Sequence, residues 1–194
     1  MKTVIIKYNA GNIRSVTFAL ERIGIEPIIT DDIAEMSTAD KVIFPGVGEA
    51  SSAMNYLREK KLDIVIRELK QPVLGICLGM QLMCTSSEEG DTKCLGVFNQ
   101  KIKLFKSTES KVPQIGWNTI FDLKTDLFKG IKENEYQYCV HSYYAEMGEN
   151  TIATTNYDLN YSSALRKNNF YGVQFHPEKS GVVGETILQN FIKL

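Results

Sequence analysis

Four short runs of nearly unbroken aliphatic residues constrain this chain more than any other feature: Thr3-Val4-Ile5-Ile6, Pro27-Ile28-Ile29-Thr30, Lys41-Val42-Ile43-Phe44-Pro45 and Pro72-Val73-Leu74-Gly75-Ile76. Each is shorter than an ordinary helix and too apolar to leave one face in water, so each reads as a strand buried on both sides. The segments between them are amphipathic. Val16, Leu20 and Ile23, spaced four and three apart, mark one face of a helix that follows the turn Asn9-Ala10-Gly11-Asn12 and closes at Gly24. Ala50 to Leu69 reads as helical with one break near Lys60-Lys61, and a further helix follows the fourth strand through Gln81 and Met83. Strands alternating with helices predict an α/β fold with a parallel sheet covered on both faces.

From Val97 onward the pattern changes. Lys101 to Phe105, Tyr136 to Val140, Thr151 to Thr155 and Ser162 to Arg166, separated by polar turns, predict antiparallel strands. Phe170 to Phe175 returns as a strand leading into His176-Pro177-Glu178, and Ile187, Phe191 and Ile192 give a final helix its apolar face. No linker, internal repeat or low-complexity tract interrupts the sequence. The expectation is one domain over residues 1–194 with a mixed sheet: three layers around a mostly parallel central sheet with an antiparallel extension.

Charge and cysteine usage exclude several function classes. Lys plus Arg number 22 against 23 Asp plus Glu, and a net charge of -1 gives no broad field for a phosphate backbone or an anionic bilayer. Nucleic acid and membrane are therefore not expected partners. Met1-Lys2 leads directly into the first strand, so no signal peptide is expected and the predicted location is cytoplasmic. Cys77, Cys84, Cys94 and Cys139 form no Cys-x-x-Cys pair, and with only His141 and His176 beside them no metal site is expected. Three of these thiols read as small buried apolar residues.

The fourth is different. Gly75-Ile76-Cys77-Leu78-Gly79 places a cysteine where a buried strand meets a helix. Such a turn exposes a nucleophile, flanking glycines remove the Cβ clashes it creates, the helix N-terminus favours thiolate, and the Leu78 amide can bind a developing oxyanion. His176 and Glu178, two residues apart at a strand end, let a carboxylate orient an imidazole, which completes a nucleophile, base and orienter set with Cys77. Pro45-Gly46-Val47-Gly48 follows the third strand, and its backbone amides at Gly46, Val47 and Gly48 are candidates for a second oxyanion donor.

With these residues in place, the chain resembles the class I, triad-type glutamine amidotransferases nearly end to end. The motifs are Gly-Ile-Cys-Leu-Gly-Met-Gln at 75–81, Ser-Glu-Glu-Gly at 87–90, Gly-Trp-Asn at 116–118, His-Ser-Tyr-Tyr at 141–144 and Gly-Val-Gln-Phe-His-Pro-Glu-Lys-Ser at 172–180. Within the family this set is most similar to the glutaminase subunits of imidazole glycerol phosphate synthases. The resemblance implies a flavodoxin-like fold without cofactor and hydrolysis of glutamine through a thioester on Cys77. It implies delivery of ammonia to a (β/α)8-barrel cyclase subunit in a heterodimer, in histidine biosynthesis. It also implies that Gln81, Glu89, His141, Ser142 and Tyr143 line the glutamine pocket, and that Asn12, Trp117, Tyr138 and Lys179 face the partner or the channel. Gln114 departs from the family, where a histidine commonly precedes Gly-Trp-Asn, as does the first turn, where a glycine often stands second after the strand. A paralogue that amidinates nucleotide-linked surface sugars, a non-catalytic binding module, and a cysteine peptidase or γ-glutamyl hydrolase on the same architecture are the alternatives.

Overall fold

The aliphatic runs form the strands of a doubly wound sheet in a computed structural model that describes residues 1–9, 11–106 and 109–194. Ala10 of the expected first turn lies outside the described residues. In chain order the first half comprises β1 (Thr3–Ile6), α1 (Ile13–Arg22), β2 (Ile28–Thr30), α2 (Ile33–Ser37), β3 (Lys41–Gly46), α3 (Ala50–Glu59), α4 (Leu62–Glu68), β4 (Val73–Cys77) and α5 (Leu78–Leu82). The second half comprises β5 (Ser86–Ser87), β6 (Thr92–Lys93), β7 (Lys101–Leu104), β8 (Gln114–Ile120), β9 (Glu135–His141), β10 (Tyr143–Ala145), β11 (Thr151–Tyr157), β12 (Leu159–Lys167), β13 (Phe170–Val173) and α6 (Gly181–Lys193). The break expected near Lys60-Lys61 separates α3 from α4. The short α2 has no periodic pattern to betray it and is held at its start by Asp32, whose side chain accepts from the Glu35 amide at 2.9 Å.

The main sheet runs β2-β1-β3-β4-β13-β12-β10-β7-β5-β6, with β11 paired to β12. From β2 to β13 every pairing is parallel, and the sense reverses at β12. The mostly parallel core with an antiparallel extension is as expected, with one local difference: β7 is antiparallel to β10 but parallel to β5. Alternate residues of each strand enter different cores. Val4, Ile6, Val42 and Phe44 pack with Met54, Leu57 and Ile66 beneath α3 and α4, while Ile5, Ile43, Leu74 and Ile76 pack with Leu20, Ile187 and Phe191 beneath α1 and α6. Each such side chain contributes about 1.5–3 kcal/mol on burial, which is why both faces must be apolar.

The mixed main sheet is accompanied by a second, two-stranded sheet that the sequence pattern did not set apart. β8 and β9 pair only with each other, as a separate antiparallel ribbon in which Trp117 faces Tyr138. Its inner side buries Gln137, Cys139 and His141, but Ile115, Trp117 and Tyr136 stand exposed on the other. Among the described residues, no helix is long and apolar enough to cross a membrane.

The strand order has one functional consequence. β1 is flanked by β2 on one side and β3 on the other, so the loops leaving β1 and β3 diverge and open a crevice at the carboxyl ends of the strands. The ends of β1, β3, β4 and β13 all meet there.

Candidate active site

Cys77 is the last residue of β4 and has φ 53° and ψ −110°, a conformation that a residue with a Cβ adopts only under constraint. The constraint is packing against β3. A Cβ on Gly79 would stand 1.8 Å from the Phe44 carbonyl oxygen, and one on Gly75 would stand 2.4 Å from the Met83 Cε. Gly79 thus lets α5 close on β3 and Gly75 lets α5 fold back onto β4, which together force the chain through a sharp turn at Cys77.

β13 lies beside β4 with Val173 opposite Ile76, so the chain leaving β13 emerges next to Cys77. The His176 amide then donates to the Tyr138 carbonyl at 2.9 Å, and Pro177–Lys179 form a single 3-10 turn. This turn corrects the expected geometry: Glu178 reaches His176 around a helical turn and not along an extended strand. The pairing itself is formed, with Nδ1 of His176 2.7 Å from Oε1 of Glu178 and the two side chains 1% and 0% exposed. A carboxylate oxygen only accepts, so Nδ1 carries the proton of this bond and Nε2 is left for another partner. Nε2 has no partner of hydrogen-bonding geometry among the described residues. Burial opposes charge on the ring, but the Cys77 sulfur and the Glu178 carboxylate outweigh it and raise His176 to about 10.

Asn12 belongs to this centre. Its Nδ2 donates to the same Oε1 of Glu178, and it adopts the left-handed conformation (φ 71°) at the start of α1. The sequence placed Asn12 toward the partner, whereas its hydrogen bond in the structure is to the acid of the triad. Ser180 ties the turn to the ribbon, accepting from the Tyr138 amide at 2.9 Å and donating to the His176 carbonyl at 2.7 Å.

A cleft of about 320 Å³ opens over Cys77, lined by Val47, Gly48, Leu78, Gln81, Glu89, His141, Ser142 and Tyr143, with Pro113 and Val140. All five expected pocket residues are there. Gly46 is not: it pairs with Cys77 in the sheet, and a Cβ on it would meet the Tyr8 hydroxyl at 2.2 Å. Its lack of a side chain therefore serves packing, and Val47 and Gly48 are the part of that loop that reaches the cleft. The Gly11 amide holds the loop by donating to the Val47 carbonyl at 3.3 Å. A cleft of about 370 Å³ lined by Glu88, Lys103, Phe105 and Tyr144 also exists, but it does not contain Cys77.

The pocket wall is internally bonded. Gln81 Nε2 donates to the Tyr143 carbonyl at 3.1 Å and to Gln174 Oε1 at 2.9 Å. Glu89 is half-buried, and its Oε2 accepts from the Ala50 amide at 2.7 Å where α3 begins; burial raises its carboxyl, and this bond partly offsets the effect. His141 donates from Nδ1 to the Tyr143 carbonyl at 2.7 Å, and the Tyr161 hydroxyl lies 3.3 Å from its Nε2.

Burial holds His141 down at about 4, against an ordinary value of 6.5. Between those values the unfolded chain binds a proton that the folded ring refuses, so stability falls as pH is lowered through that window. The loss attributable to His141 is about 2 kcal/mol by pH 5. Urea unfolding at pH 7 and pH 5 is expected to show a drop smaller by that amount in His141→Gln than in the natural chain.

Trp117, Tyr138 and Lys179 also come together. The Trp117 and Tyr138 rings meet edge to face at 6.0 Å, and the Lys179 ammonium stands 5.8 Å from the centre of the Tyr138 ring. Sequence reasoning missed Pro113, Val140 and Gln174. Only Gln174 carried a signal: it stands two residues before His176, the spacing that returns a side chain to the same side of an extended chain.

The sequence pattern of the family described as glutamine amidotransferase class-I matches residues 5–194. The chain belongs to this family. The amidotransferase is 58% identical over 196 residues to "Imidazole glycerol phosphate synthase subunit HisH" of Bacteroides fragilis (strain YCH46), covering all of both chains. It is 46% identical over 190 residues to the protein of the same name from Haemophilus influenzae (strain Rd), covering 97% of this chain and 96% of that one. Solved structures of a glutamine amidotransferase and of PurLQS from Thermotoga maritima superpose with TM-scores of 0.76 and 0.75 at 18% identity each. The first alignment covers 98% of this amidotransferase and 97% of the other chain, and the second covers 99% and 97%. These structural likenesses bear on the fold, which is that of class I amidotransferases.

Proposed function

We propose that this amidotransferase is the cytoplasmic glutaminase subunit of an imidazole glycerol phosphate synthase, formed from residues 1–194 as one catalytic unit. The observation that carries the reading is Cys77, which lines the cleft, beside a buried His176–Glu178 pair. The Cys77 thiolate attacks the side-chain carbonyl carbon of glutamine, and the carbonyl oxygen takes the negative charge. Backbone amides of Leu78 and of the Val47–Gly48 segment receive that oxyanion. His176 gives its Nε2 proton to the leaving nitrogen, ammonia departs, and a thioester remains on Cys77. Water deprotonated by His176 then cleaves the thioester, glutamate leaves, and the thiolate–imidazolium pair is restored. Glu178, fixed by Asn12, holds the imidazole in the tautomer that presents Nε2.

Glu89 suits the α-ammonium of glutamine, and backbone groups of Ser142 and Tyr143 suit its carboxylate. The outer face of the β8–β9 ribbon, with Trp117, Tyr138 and Lys179, receives the barrel subunit that consumes the ammonia. Support for that partner comes from the naming of the full-length relatives and from the exposed aromatics on this face.

A glutamine-analogue electrophile followed by intact-mass and peptide analysis tests the chemistry. One adduct on Cys77, blocked by excess glutamine, is expected; folded protein that gains no adduct would overturn the assignment.

A further inference from the structure

The fully buried Gln174 has no part in the mechanism above, yet it touches the nucleophile. Its Nε2 donates to the Cys77 Sγ at 3.7 Å, and its Oε1 accepts from Gln81 at 2.9 Å. Its own amide is anchored by donating to the Ser163 carbonyl at 2.8 Å. Gln81 lines the cleft and also donates to the Tyr143 carbonyl, which His141 grips from its other side. An unbroken series of hydrogen bonds therefore runs from the attacking sulfur to the wall that the substrate touches.

We infer that Gln174 is a catalytic residue of this site: its side-chain amide holds the Cys77 thiolate, and its carbonyl ties that grip to Gln81 in the glutamine pocket. The inference extends the glutaminase reading. A hydrogen bond to an anionic sulfur is charge-assisted, whereas a thiol or thioester sulfur accepts only weakly, so the donor favours the reactive state. Because the donor is neutral, it steadies the anion without competing with His176 for the proton that ammonia needs. It also gives the sulfur a second fixed neighbour besides the imidazole, which restricts the line of attack.

The test uses alkylation of Cys77 by iodoacetamide, in which the thiolate sulfur bonds to carbon and iodide leaves. It requires no glutamine turnover, so the outcome is independent of whether the substrate reading holds. The titratable groups acting on the Cys77 site are His176, Tyr8 and Cys139, and the variants leave all three in place. Gln174→Met fills the space without a donor or a charge, while Gln81→Met breaks the other end of the series and leaves the donor to sulfur in place. Gln174→Met is expected to slow alkylation at neutral pH by about tenfold and to move its pH profile upward, and Gln81→Met to do so by much less. A role confined to supporting Gln81 predicts the same profile in both variants, and that result in folded protein would overturn the inference. In the natural chain, the Gln174 side-chain amide proton resonance is expected to shift when Cys77 is alkylated. An unmoved resonance would equally refute the contact, whether or not either variant folds.

Discussion

Replacing Cys77 with alanine is expected to lower glutamine hydrolysis by about 10⁴-fold or more and leave the chain folded. The side chain is small, and the turn that holds it is imposed by Gly79 packing against β3 and Gly75 against α5, so the alanine variant keeps the backbone. His176→Asn is expected to cost a similar factor, because the imidazole both pairs with the thiolate and protonates the leaving nitrogen. The two residues act as one device, so the double variant is expected to be no slower than either single one. Steady-state ammonia release measures all three, and additive losses would contradict the assigned roles. The alanine variant also isolates an electrostatic effect. Cys77 is the leading cause that raises His176 to about 10 against the cost of burial. With the sulfur removed, the imidazole is expected to lose its proton at lower pH, a change that a histidine-selective NMR titration reads directly.

Adding the barrel subunit with its ligand is expected to raise the glutaminase rate by about 10²–10³-fold, the contribution of one oxyanion donor. The loop that supplies that donor is lightly held. Its Val47 carbonyl accepts from Gly11 at 3.3 Å, and Gly48 has a φ of +123° and nothing near the position of a Cβ, so a modest contact can re-aim its amides. Docking is assigned to the ribbon, where Ile115, Trp117 and Tyr136 are 65%, 56% and 59% exposed. Trp117→Asp is expected to weaken association by about 30-fold or more, as loss of a central aromatic anchor does. The stimulated rate should return at saturating partner. A titration of activity against the barrel subunit separates the two quantities; high activity in the isolated chain, or an unchanged titration midpoint, would contradict this arrangement.

The grouping of Cys77, His176 and Glu178, proposed as the triad, was legible in the sequence because each member is attached to a local signal. Cys77 sits between glycines at a strand end, and His176 and Glu178 follow the last aliphatic strand. That the two segments meet depends on β13 entering the sheet beside β4, a pairing across nearly a hundred residues that no local pattern encodes. The same limit explains Asn12 and Gln174. Their contacts are hydrogen bonds spanning 166 and 97 residues, which no local pattern encodes, although the spacing of Gln174 two residues before His176 was a partial signal. Gly46 misled for a different reason: a glycine that makes room for Tyr8 reads the same as one that makes room for a ligand. The β8–β9 ribbon escaped because strand propensity predicts strands but not which sheet they join, and a face bearing Ile115 and Trp117 reads as core until it is seen uncovered.

Gly11 and Asn12 are neighbours in the chain with grips on opposite flanks of the reaction, one on the Val47 carbonyl and the other on Glu178. They act as a yoke. A push on this single bend is transmitted both to the Val47 strap and, through Glu178, to the His176 ring, so a change there is expected to be felt on both flanks at once.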